Sequence, residues 1–407
     1  MNDPRYSYDV QDSIRKLDWA EWDSLRDVKS DPFMDPRFIE AVENSMGDQC
    51  RFRHVVVRDA QGRPMATACL SSFVIGGASL AKGAAGKFLR LVQRAIPWIN
   101  RSTLILCGLP VSAGQSHIRF APDTDRAAAL RIVDAVARKF ASAEWARLIL
   151  FKEIDPDGCR ELAPLVSLGY RRADSFPLNH APCEYGDFEN YLSHVNSKKR
   201  WKTRRSQQKF ANSGLRVVKC FGRDHVAELY TDDVHRLFEA VENRSAVQFG
   251  NLPAEFLREL ARRLPDNTAF TFVYRGDEVV GFSASLFSET TFHSLFVGLD
   301  YGVNSQSDLY FNLLYDVVDI ALRRRPQKIV AGQTADAVKH HKLGCYQLPM
   351  SLYVKGGRWS MRLVLKIAFS WIFPPHPVEF PRETAQLDTD GGDASVDDLA
   401  VEADADR

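Results

Sequence analysis

Residues 195–210, VNSKKRWKTRRSQQKF, set Lys198, Lys199, Arg200, Lys202, Arg204, Arg205 and Lys209 around a single tryptophan, Trp201. No helix breaker occurs before Gly214, and Ser193 or Asn196 stands near the start, so the stretch predicts a helix. At 3.6 residues per turn, Lys198, Lys202, Arg205 and Lys209 share one stripe, and Arg200 with Arg204 forms another. Trp201, with Val195 and Phe210, is the apolar set available to anchor it. No Asp or Glu lies within 190–213, so pairs inside the helix cannot neutralise the run. Two readings follow. One is a solvated face; the other is a phosphate clamp for a nucleotide-linked or lipid-linked precursor, or for the acceptor stem of a tRNA.

The charge balance of the chain agrees with an anionic ligand. Its 407 residues carry a formal net charge of +1, but from Glu379 onward ten acids face two arginines, which leaves +9 on residues 1–378. A mildly basic body favours anionic partners. Seven cysteines are scattered with no CxxC pair, which argues for reduced thiols in a cytosol and against a zinc site. No metal is expected. The first residues hold no apolar signal-peptide core, and no apolar run reaches the ~20 residues of a spanning helix. Residues 376–407, rich in Asp, Gly, Ala and Pro, predict a disordered acidic tail.

The elements that would carry these side chains occur twice. VVVRDAQGRPMATACLSSF (55–73) reads as strand, turn, strand, and so does TFVYRGDEVVGFSASLF (271–287). Each is followed by a Gly-Leu bend (Gly108, Gly298), a helix (125–141, 309–324), and a strand (RLILFKE, QKIVAGQ). Each copy then closes on Leu-Gly (168–169, 343–344) before a last strand. The spacing from Gly62 to Gly108 exceeds that from Gly276 to Gly298 and places an insertion at 76–103. We expect an α+β fold of two domains, 1–185 and 186–356, each a mostly antiparallel mixed sheet flanked by helices. An amphipathic helix (357–375) and the tail follow.

This order of elements, with LGY or LGC before the last strand, resembles the GNAT acyltransferase fold. The tandem copies, the basic SKKRWKTRRSQQKF helix and VAGQTADAVKHHKLGC resemble the FemAB-like branch related to peptidoglycan biosynthesis. The resemblance spans about 30–356 and implies transfer of an acyl or aminoacyl group to an amine, with acyl-CoA or aminoacyl-tRNA as co-substrate and no tightly bound cofactor. The loops PVSAGQSH and DYGVNSQSD match a Gly-rich pyrophosphate cradle poorly, which weighs against acyl-CoA.

Acyl transfer to an amine needs a base, oxyanion donors and an acid. In a GNAT-like unit the two central strands splay and free backbone N–H groups; in the second copy these are 281–287 and 292–298. His293, the only histidine there, is the candidate base, expected to titrate near neutrality, or else a satisfied buried histidine. Tyr301 and Tyr310 flank the following bend and could supply the acid or simply pack. Gln333 and Thr334 end a strand where a ligand would lie, and Thr334 could equally cap a helix. Lys339 or Lys342 matches the lysine that the resemblance places before Leu-Gly. In the first copy Lys152 and Glu153 stand at the positions of Gln333 and Thr334, and that copy is expected to be mainly structural.

Two segments could lie at a membrane surface or pack on the protein: 86–101 and 357–373, each apolar with interspersed basic residues and tryptophan. The expected function is an N-acyltransferase acting on a phosphorylated or lipid-linked envelope precursor, in the cytosol or at the inner face of the membrane. The alternatives are an acyl-CoA-dependent N-acetyltransferase of a small amine, and an inert envelope- or nucleic-acid-binding module.

Overall fold

The turn at 59–63 shows how local chemistry sets the strands. Asp59 Oδ1 accepts from the backbone N–H of Gln61 and Arg63, both at 2.9 Å, while Gly62 takes the left-handed φ of 78° that the reversal requires. The structure, a computed structural model, describes residues 5–76, 101–111, 114–222, 225–244 and 252–382. The segment 86–101 therefore lies outside the described residues save for its last position.

In chain order the first half runs β1 (Tyr6–Gln11), α1 (Trp19–Asp23), α2 (Pro36–Met46), β2 (Cys50–Asp59), β3 (Pro64–Gly76), β4 (Arg101–Cys107) and β5 (Ile118–Phe120). It continues with α3 (Arg126–Ala143), β6 (Leu148–Ile154), α4 (Pro156–Glu161) and β7 (Arg171–Ala181). The second half opens with α5 (Phe188–His194), α6 (Ser197–Ala211), β8 (Arg216–Phe221), α7 (Val226–Leu229), α8 (Asp232–Arg244) and α9 (Ala254–Arg263). The strands β9 (Thr268–Arg275), β10 (Glu278–Phe287) and β11 (Thr291–Leu299) follow, then α10 (Tyr301–Ser307), α11 (Leu309–Arg323), β12 (Lys328–Gly332) and α12 (Asp336–Leu343). Last come β13 (Tyr346–Gly356) and α13 (Trp359–Ile372).

Two compact units result. One comprises 1–177, 249–253 and 349–377; the other 178–248, 254–348 and 378–407. In the first, β1, β2, β3 and β4 pair antiparallel in order, β4 pairs parallel with β6, and β6 pairs antiparallel with the end of β13. In the second, β8, β9, β10 and β11 pair antiparallel, β11 pairs parallel with β12, and β12 pairs antiparallel with the end of β7. The two pairing schemes are the same, which gives the duplicated α+β architecture its structural form. Each unit draws its closing strand from the other half of the chain.

Helices cover both sheets through buried stripes. Helix α3 buries Leu130, Val133, Ala137 and Phe140 against Val55, Leu70 and Ile149 in the first unit's core. Helix α11 buries Leu309, Leu313, Val317 and Ile320, among others, in the second. Each large side chain so buried contributes ~1.5–3 kcal/mol. The acidic tail begins later than its composition suggests. Gln347 donates to Phe380 O at 2.7 Å and accepts from Glu379 N at 2.8 Å, and the Phe380 ring stacks 4.2 Å from that of His340. The aromatic ring and these hydrogen bonds fix residues that a count of Asp and Pro marked as disordered. Residues 383–407 lie outside the description.

Candidate functional site

Strands β11 and β12 share a short parallel ladder among the described residues: Thr291 opposite Lys328, Phe292 opposite Ile329, and His293 opposite Val330. Beyond that β12 ends at Gly332 while β11 runs on to Leu299, paired with β10. Its register against β10 passes from Ala284–Phe296 to Ser285–Ser294, so Leu295 is an extra, bulged residue at the parting point. Bulges re-aim a strand and free its backbone groups. The result is a wedge along Ser294–Gly298, the stretch of β11 beyond its ladder with β12. Gly298 sits where a side chain has no room. A Cβ there would lie 2.2 Å from Phe282 Cε1 and 2.7 Å from Phe238 N.

Opposite that stretch stands a strained turn. Gly332, Thr334 and Ala335 have φ of 81°, 69° and 51°, and the two non-glycine residues each cost of order 1–3 kcal/mol. Side chains clamp it. Lys339 Nζ, almost fully buried, donates to Gln333 O at 3.1 Å and Thr334 O at 2.7 Å. Asn179 Nδ2 donates to Gly332 O at 3.1 Å and to Asp336 Oδ1 at 2.6 Å. Gln333 and Thr334 are thus presented at the wedge, and Thr334 caps nothing: Ala335 is the cap residue of α12. Lys339 and Lys342 are separated by the fold. Lys342 lies 4.4 Å over the Phe311 ring.

His293 does not titrate near neutrality. It is 3% exposed; burial, reinforced by His180 and Lys328, pushes its pKa down to about 3. A neutral imidazole of that basicity is a poor acceptor for an ammonium proton. His180, on the β7 end, is likewise pushed down to about 4 by burial, then by Lys328 and Arg382. Asn179 and His180 escaped the sequence reading because residues 178–181 belong by order to the first copy and by pairing to the second unit.

Tyr301 opens α10 with the Arg244 guanidinium 3.5 Å above its ring; burial raises its pKa, which Arg244 partly offsets. Tyr310 is buried in the first turn of α11, its N–H donating to Asn304 Oδ1 at 2.8 Å. The loop that would cradle a pyrophosphate is instead capped from within. Asp300 Oδ1 accepts from Gly302 N at 2.7 Å, so a carboxylate already occupies those amides.

Helix α6 begins where predicted, with Asn196 Oδ1 accepting from Lys199 N at 2.7 Å. Its buried stripe is Thr203 and Ser206; Asn312 Nδ2 reaches Ser206 O at 3.3 Å. Trp201 does not anchor it. The indole is 58% exposed with the Arg205 guanidinium 5.4 Å from its ring. Nor is the basic run wholly uncompensated, because acids reach it from outside the helix. Arg204 forms a two-pronged pair with Glu189 of α5, and Lys209 pairs with Asp308 at 2.6 Å. Arg200 donates to Ser193 O at 3.0 Å. Lys199 points inward toward Gly344 and Tyr191. Lys198, Trp201 and Arg205 are exposed along one side of the helix.

The first copy has the same frame with its wedge filled. Glu153, like Thr334, has a left-handed φ of 62°. The Lys152 side chain lies against Gly108, 3.1 Å from where a Cβ would stand, and Glu153 accepts from Gly114 N.

A family model of FemAB-like proteins, described as peptidoglycan biosynthesis/recognition, matches residues 121–344. Among solved structures, FemX superposes with a TM-score of 0.52 at 10% identity, over 88% of this chain and 99% of its own. A conserved protein of unknown function from Bacteroides thetaiotaomicron gives a TM-score of 0.49 at 12% identity, over 85% of this chain and 98% of its own. The C-terminal domain of a putative lysylphosphatidylglycerol synthetase from Agrobacterium fabrum gives 0.47 at 12% identity, over 88% and 98%. At 10% identity the likeness to FemX speaks for the fold alone. No curated protein matches the chain.

Proposed function

The chain belongs to the FemAB-like family, and from that membership and the β11–β12 wedge we infer that it is a GNAT-fold acyltransferase that transfers an aminoacyl group to an amine of a phosphorylated or lipid-linked envelope precursor. The observation that carries this reading is the parting of β11 from β12 after His293 and Val330, beside a clamped turn. In the reaction the new C–N bond forms as the donor's ester C–O bond breaks, and the amine's proton ends on the departing oxygen. The N–H edge of Ser294–Gly298 polarises the carbonyl, and the Gln333 side chain orients the acceptor amide. Lys339 holds the turn that presents it, and Tyr310, buried in the first turn of α11, is the candidate to return a proton. Lys198, Trp201, Lys202 and Arg205 grip the phosphates of acceptor or tRNA.

Aminoacyl-tRNA is favoured over acyl-CoA because Asp300 occupies the amides that a pyrophosphate would need. The active wedge is assigned to the second copy because Lys152 fills that of the first. A lipid-linked acceptor would bring the chain to an anionic membrane, with 357–373 as the contact.

The test is a transfer assay read by mass spectrometry. The full chain is offered aminoacyl-tRNA or acyl-CoA together with nucleotide-linked and lipid-linked cell-wall precursors. An acceptor heavier by one aminoacyl residue is expected. Acetylation of small amines by acetyl-CoA, with the precursors untouched, would replace this reading by that of an ordinary N-acetyltransferase.

A further inference from the structure

Helix α13 is tied to the first unit by one narrow face. Leu365 and Phe369 are buried; Arg171 donates to Leu365 O at 2.7 Å and lies 3.8 Å over the Phe369 ring. Arg362 Nε donates to Gly356 O at 3.1 Å. The opposite face is exposed and apolar among the described residues: Trp359 is 78% exposed, Ile367 79% and Trp371 65%, with Leu363 between them. Residues 357–378 contain no acid, while Arg358, Arg362 and Lys366 punctuate the helix. Helix α13 has 14 residues and, like the other described helices, is neither long nor apolar enough to cross a membrane.

Beneath this helix lies a cavity of ≈ 670 Å³ within the same unit. Its wall includes Arg138, Arg171, Lys355, Arg362 and Lys366 against one acid, Asp134. That acid is already satisfied. It accepts from Lys355 Nζ at 2.7 Å, Arg138 Nε at 2.9 Å and Tyr170 OH at 3.0 Å. Five cations against one carboxylate leave an excess of four positive charges around a hollow large enough for a headgroup. Clustered charges of one sign raise the local positive potential and attract an anion.

We propose that this cavity takes the phosphate of an anionic phospholipid headgroup while the Trp359–Ile367–Trp371 face of α13 rests in the same leaflet. The two features are contiguous, since Arg362, Leu365 and Lys366 belong to both helix and cavity. A basic pocket combined with an apolar face bounded by tryptophans matches an interfacial contact: apolar burial gives depth, and cations select negative lipid. A soluble phosphate would account for the cavity but leave the apolar face unexplained. The inference builds on the membrane contact proposed above and not on the transferase chemistry.

Cosedimentation of the full chain with phosphatidylcholine vesicles, with and without phosphatidylglycerol, tests it. Wild type should bind only the mixed vesicles, and added salt should weaken the binding. Ile367→Glu with Trp371→Glu should abolish it. Arg138→Ala with Lys366→Ala should weaken it on the order of 10-fold, whereas Arg131→Ala with Lys139→Ala, on the same α3 but outside the cavity, should leave it nearly unchanged. Circular dichroism melts establish that each variant is folded. Wild type failing to sediment would sink the membrane contact itself. Equal weakening by the two basic pairs would overturn the headgroup site while leaving the helix contact standing. Saturable thermal protection by inorganic phosphate, without vesicle binding, would reassign the cavity to a free anion.

Discussion

Lys339 and Lys342 are three residues apart on one short helix, yet Lys339 clamps the turn at the wedge while Lys342 lies over the Phe311 ring. Its ammonium satisfies two carbonyls of a left-handed backbone, so Lys339→Met leaves two acceptors short of a charged donor. We expect a stability loss of about 1–3 kcal/mol and a turnover loss of at least tenfold, whereas Lys342→Ala should change turnover little. Urea titration and steady-state rates read the two effects, and equal rates in both variants would remove Lys339 from the site. The buried histidines make a second prediction. In the unfolded chain His293 and His180 return to ~6.5, whereas burial holds them at about 3 and about 4 in the fold. Between those values and ~6.5 the unfolded state binds the extra protons, so stability falls as the pH drops through this window and is unaffected above it. Replacing His293 by Asn should flatten the slope between pH ~6 and ~4.5 by up to ~1.4 kcal/mol per pH unit. An unchanged slope would mean that His293 is not held neutral. The sequence could show that His293 sat on a central strand. It could not show its neighbours, because His180 arrives from a strand counted in the other copy.

Whole elements were easier to read than their faces. The alternating strands and the Leu-Gly ends were legible because each depends on local period or on a glycine; Gly169 and Gly344 both adopt the left-handed conformation, with φ of 91° and 67°, whereas Gly298, expected at a bend, lies within β11. Helix α6 was legible as a helix, but its compensation was not. Glu189 lies one residue outside the acid-free window and folds back from α5 onto Arg204. Periodicity on a single helix carries no information about such returns. The prediction at this scale separates the two arginines. Arg205→Ala with Lys198→Ala should raise KM for a phosphorylated acceptor with kcat little altered, while Arg204→Ala should leave KM near wild type. The same rise in KM for Arg204→Ala would restore that residue to the clamp. Gly298→Ala bears on the wedge itself: the added methyl meets Phe282 and the Phe238 backbone, and overpacking of this kind costs typically 1–3 kcal/mol.

At the scale of the molecule, duplication and exchange work together. Each sheet closes on a strand from the other half: Ser351–Gly356 pair with β6, and Asn179–Ala181 pair with β12. The packing follows the pairing, because Tyr353 belongs to the first unit's core and Ala181 to the second's. Division at 185, natural from the linear order of the repeats, cuts through this exchange. A fragment of residues 1–185 retains β1–β6 but loses Tyr353, Val354, Leu365 and Phe369, and with them an antiparallel neighbour for β6. Each lost large apolar side chain withdraws roughly 1.5–3 kcal/mol, and together they exceed a sizeable part of the ~5–15 kcal/mol that a domain has to lose. The fragment should therefore give no cooperative thermal transition by circular dichroism. Supplying residues 345–377 as a fused segment, joined through a flexible linker to the fragment's C-terminus, should restore one. A sharp melt from 1–185 alone would show that the first copy folds without the borrowed strand, and that the exchange serves the wedge of the second unit rather than the stability of the first.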